Sequence, residues 1–328
     1  MSSAARRASR RGIGPYARAS MVVLLLSLLS ACSSLSSDGQ PAAHDGPLRV
    51  ATSFYPLQWM AQRVGGDLVT VTNLTKPGAE PHDLELTPRD VASLSDADVV
   101  AYLSGFQPAV DDALRTTGAT RFDAAPAADL NLVFTPNLGD PSPGERLEAK
   151  ADATGRTDPH FWLDPTRLAD VAQAFADTLA EQDPGHAARY RANATALTAE
   201  LNDLDHDMKA GLTDCRSRDL VTSHRAFGYL AVRYGLRQVG ISGLSPEEEP
   251  SARSLARVSD FVRANHVATI YSEALVSPAV AKTVARESGA ITKVLDPLEG
   301  MGPRSKGSDY LEVMRSNLAT LRAGQDCS

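Results

Sequence analysis

Three of the seven histidines stand in short segments, two of which also carry proline and acidic side chains. They are Glu80-Pro81-His82-Asp83, Asp158-Pro159-His160-Phe161-Trp162-Leu163-Asp164-Pro165 and Thr222-Ser223-His224. Proline restricts its own backbone and that of the residue before it, so the backbone around His160 is expected to be rigid. A rigidly held imidazole suits a metal ligand. Taken alone, each histidine is better explained as a side chain that only forms hydrogen bonds, and the metal site depends on the three taken together.

Asp296, in Leu295-Asp296-Pro297, is the fourth candidate ligand. Three imidazoles and one carboxylate form a closed tetrahedral set for zinc, with bonds of about 2.0 to 2.2 Å. Such a set leaves no open position for a reactive water, so we expect a binding protein and not an enzyme. An Asp-Pro pair also commonly forms a turn, which is the alternative for Asp296.

Alternating strands and helices are predicted to position these segments. The predicted strands are 48–53, 68–74, 98–103, a weak one near 121–122, and 219–222, 236–241, 267–271 and 290–295. Short strands separated by short helices predict right-handed βαβ units and parallel sheets. Ligands of open parallel sheets bind at the carboxyl ends of the strands, where His82, His224 and Asp296 are expected.

A long helical stretch divides this pattern in two. In residues 184–212, apolar side chains recur at near-helical spacing, and a helix of about 28 residues spans roughly 40 Å. The predicted fold class is α/β, with two pseudo-symmetric lobes joined by one long rigid helix, each lobe being a parallel sheet flanked by helices. The N-terminal lobe is predicted to cover residues 48–183, the linking helix 184–212 and the C-terminal lobe 213–328.

The first 31 residues are predicted to be a lipoprotein signal peptide. Five arginines precede the apolar run 21–29, and Leu29-Ser30-Ala31-Cys32 resembles a lipobox. Cys32 is then the lipidated residue, residues 32–47 form a flexible tether, and the protein is anchored to the bilayer on the outer face of the bacterial cell membrane. A plain cleaved signal peptide with an incidental cysteine is the alternative.

Cys215 and Cys327 are the two remaining cysteines. In an oxidising compartment a disulfide between them is expected, and no CxxC spacing supports a zinc site made from them. The chain carries 40 acidic against 33 basic residues, which disfavours nucleic acid as a partner.

The sequence resembles the metal-binding receptors of bacterial zinc and manganese ABC transporters, the cluster A-I substrate-binding proteins. The segments that carry the resemblance lie between about residues 50 and 300: Phe54-Tyr55-Pro56-Leu57, Gly65-Gly66, 77–83, Thr87-Pro88, 158–165, Ser223-His224-Arg225-Ala226-Phe227, Tyr271-Ser272-Glu273 and Asp296-Pro297-Leu298. The resemblance implies two lobes with a metal between them, bound by residues that match His82, His160, His224 and Asp296. It also implies an ABC permease as the partner that receives the metal.

The resemblance favours zinc as the cargo. Manganese receptors of this family usually carry glutamate where this chain has His224, and imidazole suits zinc better than manganese. The segment 134–157 lacks the histidines that many zinc receptors carry there, so delivery by a separate zinc chaperone stays open. A monomer is expected.

Supporting roles and rival functions complete the sequence-based predictions. Glu80 and Glu273 are candidates to accept a ring N–H from a ligand histidine or to pair with Arg225, although surface salt bridges explain them equally well. A manganese receptor is the first alternative function. A zinc-dependent hydrolase, with Asp296 or Glu80 as the base, is the second. An adhesin is the third, and would require metal-independent binding to a host surface.

Overall fold

The computed structural model describes residues 46–134 and 156–328. The predicted signal peptide, Cys32 and the tether up to residue 45 lie outside the described residues, as does most of the segment 134–157. Within the described ranges, no helix combines the length and the apolar character needed to cross a membrane.

Two four-stranded parallel sheets form the frame of the fold. The first sheet contains β1 (Leu48–Thr52), β2 (Val69–Asn73), β3 (Val99–Tyr102) and β4 (Thr120–Asp123). A small antiparallel pair follows, formed by β5 (Val133–Phe134) and β6 (Arg156–Thr157). The second sheet contains β7 (Asp219–Thr222), β8 (Arg237–Gly240), β9 (Thr269–Ser272) and β10 (Ile291–Val294). The strand order is β2-β1-β3-β4 in the first sheet and β8-β7-β9-β10 in the second. The two orders are equivalent, which confirms the prediction of two pseudo-symmetric α/β lobes.

Helices connect and cover the strands. They are α1 (Tyr55–Gly65), α2 (Pro88–Asp96), α3 (Pro108–Leu114), α4 (Ala125–Ala128), α5 (Pro165–Gln182), α6 (Ala187–Leu212), α7 (Gly228–Tyr234), α8 (Ala252–Ala264), α9 (Ala279–Ser288) and α10 (Tyr310–Gly324). Helix starts follow the local sequence. The Thr87 side chain and Asp90 form a capping box at α2, and the Asp164 carboxylate accepts the backbone N–H of Thr166 at α5.

The long helix α6 joins the lobes as predicted. Its 26 residues span about 39 Å, and a 3-10 turn, Pro184–His186, precedes it. Its apolar face is buried against α1 and α5 of the first lobe and α10 of the second. The lobe boundaries at residues 183 and 213 stay a prediction.

The lobes share one apolar core close to the predicted site. Trp162 is fully buried and donates its Nε1–H to the backbone oxygen of Pro297 at 2.8 Å, and the Tyr310 hydroxyl donates to the Trp162 oxygen at 2.5 Å. Trp59 stacks on Tyr310 with ring centroids 4.7 Å apart. The segment that carries His160 is thus fixed directly to the C-terminal lobe.

A disulfide joins Cys215 to Cys327, as the sequence predicts. It connects the chain just after α6 to the C-terminal tail. Backbone hydrogen bonds continue beside it, among them one from the Arg216 N–H to the Asp326 oxygen at 3.1 Å. The C-terminal end of the last helix is therefore held beside the end of α6.

Candidate metal centre

His82 lies in the loop that follows β2, and its backbone is held from two sides. The Glu80 carboxylate accepts the His82 backbone N–H at 2.9 Å. Gln107 donates from Nε2 to the Pro81 oxygen at 3.1 Å. The edge of the imidazole packs on the Phe106 ring, with centroids 4.6 Å apart. These contacts aim the His82 ring into the cleft between the lobes.

His160 is oriented by the aspartate two residues before it. Asp158 Oδ1 lies 2.9 Å from the His160 backbone nitrogen, which donates to it, and 2.7 Å from the ring Nδ1. A carboxylate at Nδ1 keeps the proton on that nitrogen and leaves the lone pair of Nε2 for a metal. Residues Phe161–Leu163 then turn in a 3-10 helix and are fully buried, so the ring has little freedom.

His224 follows β7 and has the same kind of support from Glu273, which follows β9. The His224 backbone N–H donates to Glu273 Oε1 at 2.9 Å. Its ring Nδ1 lies 2.7 Å from Glu273 Oε2, at ion-pair distance although without hydrogen-bond geometry. Strand ends of the second sheet thus supply both a histidine and the carboxylate that holds it, as expected for parallel sheets.

The three histidines converge on Glu299. Oε1 of Glu299 lies 3.3 Å from Nε2 of His82, 3.1 Å from Nε2 of His160 and 3.1 Å from Nε2 of His224. The four candidate ligand atoms all lie within 4.8 Å of one another. Donor atoms at the corners of a tetrahedron with bonds of about 2.1 Å are about 3.4 Å apart. The observed spacings fit one small cation bound by four ligands.

The structure brings Glu299 to the histidines where the sequence-based prediction had Asp296. Asp296 instead shapes the loop, because its Oδ1 accepts the backbone N–H of Leu298 at 2.9 Å. Leu298 adopts a φ of 57°, which turns the chain so that the next residue enters the cleft. The Asp-Pro turn, given above as the alternative for Asp296, is the arrangement found. An acidic residue just beyond that turn was the available signal for Glu299.

The three supporting residues named from the sequence have distinct surroundings. Glu80 contacts the backbone of His82 and not its ring, whereas Glu273 contacts both the backbone and the ring of His224. Burial lowers the pKa of Arg225, and the charge of Asp158 opposes that effect. Their roles stay a prediction. Asp158 was not among the residues predicted from the sequence, although its place two residues before His160 matches that of Glu80 before His82.

The carboxylates tune the ionisation of the histidines. Burial alone disfavours the charged imidazole, and it lowers the pKa of His82. Burial also acts on His160 and His224, but their carboxylate neighbours outweigh it and raise both pKa values. The histidines in turn hold the pKa of the Glu299 carboxyl well below its usual range, against the effect of burial. Glu299 is therefore an anion, ready to bind a cation.

Solvent reaches this group of side chains mainly at His82. The side chains of His160 and His224 are fully buried and that of Glu299 is 1% exposed, whereas that of His82 is 10% exposed. Among the described residues, no second group of three or more such side chains has the spacing of a metal site. His82 is thus the most exposed of the four side chains.

Known proteins resemble the chain over most of its length. Residues 50–324 match the family described as zinc-uptake complex component A, periplasmic. The zinc-binding lipoprotein AdcA of Streptococcus pneumoniae is 34% identical over 308 residues, which are 93% of this chain and 61% of AdcA. This chain therefore spans about three fifths of the length of that relative. The high-affinity zinc uptake system protein ZnuA of Bacillus subtilis is 34% identical, with 90% of this chain and 93% of ZnuA covered.

A solved structure agrees with these relatives. The Zn(II)-bound ZnuA-like domain of Streptococcus pneumoniae AdcA superposes with a TM-score of 0.69 at 34% identity, and the match covers 86% of this chain and 100% of that domain. Sequence and fold lead to the same conclusion. The chain belongs to the family of the periplasmic component A of zinc-uptake complexes.

Proposed function

We propose that this protein is the zinc receptor of an ABC transporter and binds Zn²⁺ between its lobes through His82, His160, His224 and Glu299. The observation that carries the proposal is the convergence of three Nε2 atoms on one Glu299 oxygen at 3.1 to 3.3 Å. That spacing suits a tetrahedral ion with bonds of about 2.1 Å. Two ligands come from each lobe, so the ion is bound in the cleft.

The ligand set favours zinc over manganese. Manganese prefers oxygen ligands in an octahedral arrangement, whereas three imidazoles with one carboxylate suit zinc. The relatives AdcA and ZnuA both carry zinc in their names, which supports the same cargo here. A manganese receptor is therefore the second candidate.

The same geometry argues against catalysis. A zinc hydrolase keeps one position of the metal open for water, but four protein ligands fill a tetrahedral ion. The fully buried rings of His160 and His224 leave little room for a substrate beside the metal. Asp296 and Glu80, the bases considered from the sequence, contact backbone N–H groups of their own loops. A transport receptor needs neither an open position on the metal, nor room for a substrate, nor a free base.

Export and partners follow from the proposed function. The relative AdcA is a zinc-binding lipoprotein, which supports lipidation of Cys32 and a place on the outer face of the cell membrane. Zinc bound in the cleft would be delivered to an ABC permease in that membrane. A monomer and transfer from a zinc chaperone remain predictions from the sequence.

Native mass spectrometry with metal analysis tests the proposal on residues 33–328. One zinc per chain is expected, with zinc lost or much weakened in His224→Ala. His206→Ala is the matched control, because His206 lies exposed on α6 and is expected to leave zinc binding unchanged. Manganese as the retained metal, or zinc retained without His224, would contradict the proposal.

A further inference from the structure

The loop that presents Glu299 is held by the side chain of Asn317. After Leu295, whose N–H donates to the Ser272 oxygen at 2.9 Å, the chain leaves the second sheet. The side chain of Asn317, in α10, forms hydrogen bonds with both backbone groups of Asp296. Its Oδ1 accepts the Asp296 N–H at 3.0 Å and its Nδ2 donates to the Asp296 oxygen at 2.7 Å. Asn317 is 3% exposed, so water does not replace these bonds.

Two further bonds transmit this anchoring towards the metal centre. Asp296 Oδ1 accepts the N–H of Leu298 at 2.9 Å, and the Pro297 oxygen accepts the indole N–H of Trp162 at 2.8 Å. Leu298 has a φ of 57°, a conformation that residues other than glycine keep only when their surroundings enforce it. Glu299 follows directly, so its position depends on this enforced turn.

We propose that Asn317 is a positioning residue that fixes Glu299 at the three histidines and thereby sets the zinc affinity. The inference rests on the proposed function, in which Glu299 is a zinc ligand. Both side-chain hydrogen bonds of Asn317 go to the Asp296 backbone and not to a proposed ligand. It acts by fixing the start of a four-residue loop whose last residue supplies the carboxylate. Supporting residues of this kind are worth about 10- to 100-fold in metal affinity.

A purely structural role predicts a different pattern. If Asn317 only stabilised the fold, its loss would lower the free energy of unfolding and weaken zinc binding whatever stood at position 299. If Asn317 positions Glu299, its loss should weaken zinc binding only in a chain that still carries Glu299. A double-mutant cycle between the two positions separates these cases.

The experiment measures zinc dissociation constants by competition with a chromophoric chelator for Asn317→Ala, Glu299→Gln and the double variant. Asn317→Asp is the second variant, since it keeps the acceptor for the Asp296 N–H and loses the donor to the Asp296 oxygen. Asn193→Ala is the matched control. Asn193 also holds a backbone oxygen with its side chain, because its Nδ2 donates to the Val64 oxygen at 2.9 Å, but this bond joins α6 to α1. Absorption of bound cobalt(II) reports the geometry of the site.

We expect zinc affinity about 10- to 100-fold lower in Asn317→Ala and Asn317→Asp, with no further loss when Asn317→Ala is added to Glu299→Gln. The cobalt spectrum of Asn317→Ala should shift towards that of Glu299→Gln, whereas Asn193→Ala should bind zinc like the wild type. Wild-type affinity in a folded Asn317 variant would overturn the inference, and so would an equal loss in the Glu299→Gln background. A wild-type chain that binds no zinc would instead overturn the proposed function.

Discussion

A Cβ atom at Gly228 would lie 2.3 Å from Oδ2 of Asp158. Asp158 holds the ring of His160 in the N-terminal lobe, and Gly228 begins α7 in the C-terminal lobe. The lack of a side chain at Gly228 lets the carboxylate of one lobe approach the helix of the other. Gly228→Ala should therefore displace Asp158, misorient His160 and weaken zinc binding about 10-fold or more, as measured by chelator competition.

A second glycine provides the control for that prediction. Gly118 has no atom within 4 Å of the place where its Cβ would lie, and it does not need a positive φ. Gly118→Ala should leave zinc affinity unchanged. If Gly228→Ala binds zinc as tightly as Gly118→Ala does, then the position of Asp158 does not control His160.

Charge removal distinguishes the ligand proposed here from the one expected from the sequence. Glu299→Gln removes the anion at the centre of the three histidines and should weaken zinc binding by at least about 100-fold. Asp296→Asn retains an Oδ1 acceptor for the Leu298 N–H, so its effect should be much smaller. Isothermal titration of both variants with zinc gives the comparison. The opposite order of the two effects would restore Asp296 as the ligand.

Periodicity predicted the two parallel sheets and the long helix. The predicted strand 219–222 coincides with β7, and the predicted strand 98–103 exceeds β3 by one residue at each end. The apolar spacing along α6 identified its buried face. A helix that joins two lobes packs its apolar face against both of them. The β5–β6 pair was not predicted, since two-residue strands have no recognisable alternation.

Prediction of the metal centre from the sequence was less complete. Histidines at strand ends and in proline-bearing loops are a strong local signal, and the three of them do meet in the structure. The fourth member depends on a turn at Leu298, and Asn317 and Trp162 hold the two residues before that turn, Asp296 and Pro297. Those contacts join residues far apart in the sequence. No local pattern around Asp296 shows which of two nearby carboxylates will face the cleft.

Zinc binding should weaken as the pH falls, beginning above 6.5. The pKa values of His160 and His224 lie above the usual 6.5 because carboxylates next to each ring favour the protonated form despite burial. Zinc binds neutral imidazole, so it must displace those protons, whereas the lowered pKa of His82 leaves that ring neutral. Calorimetry in buffers of different ionisation enthalpy should show proton release on binding near neutral pH. Equal affinity at about pH 7.5 and 5.5 would contradict the ligand set.

The same shifts have the opposite sign for the stability of the metal-free chain. A histidine with a raised folded-state pKa stabilises the fold fully below 6.5, and that contribution is lost as the pH rises through the folded-state value. The increase in melting temperature caused by zinc should therefore grow with pH across this range. Scanning calorimetry with and without zinc measures it, and a constant increase would argue against proton competition.

Loss of the disulfide should cost stability but little zinc affinity. Cys215 and Cys327 are 112 residues apart, so in the loop-entropy model their link is worth about 5 kcal/mol in the free energy of unfolding. Helix α10 remains packed through Tyr310, Met314 and Leu321, which are fully buried. Urea unfolding of a Cys215→Ser/Cys327→Ser variant measures the loss of stability, and zinc titration of the same variant measures its affinity. A large loss of affinity would mean that the tail helps to hold Asn317 and the loop it anchors.

Zinc capture should involve only small movements of the lobes. Trp162 joins them by its indole hydrogen bond to the Pro297 oxygen, and Arg233 of α7 binds Asp205 of α6 through two contacts of 2.8 Å. Opening the cleft widely would break the buried Trp162 bond and the partly buried Arg233–Asp205 pair and would expose the shared core. Small-angle X-ray scattering of the metal-free and zinc-loaded chains should therefore give closely similar curves. Trp162→Phe keeps an aromatic ring but lacks the N–H, so it should increase the difference between the metal-free and zinc-loaded scattering curves. A large difference already present in the wild type would show that the lobes move as a hinge.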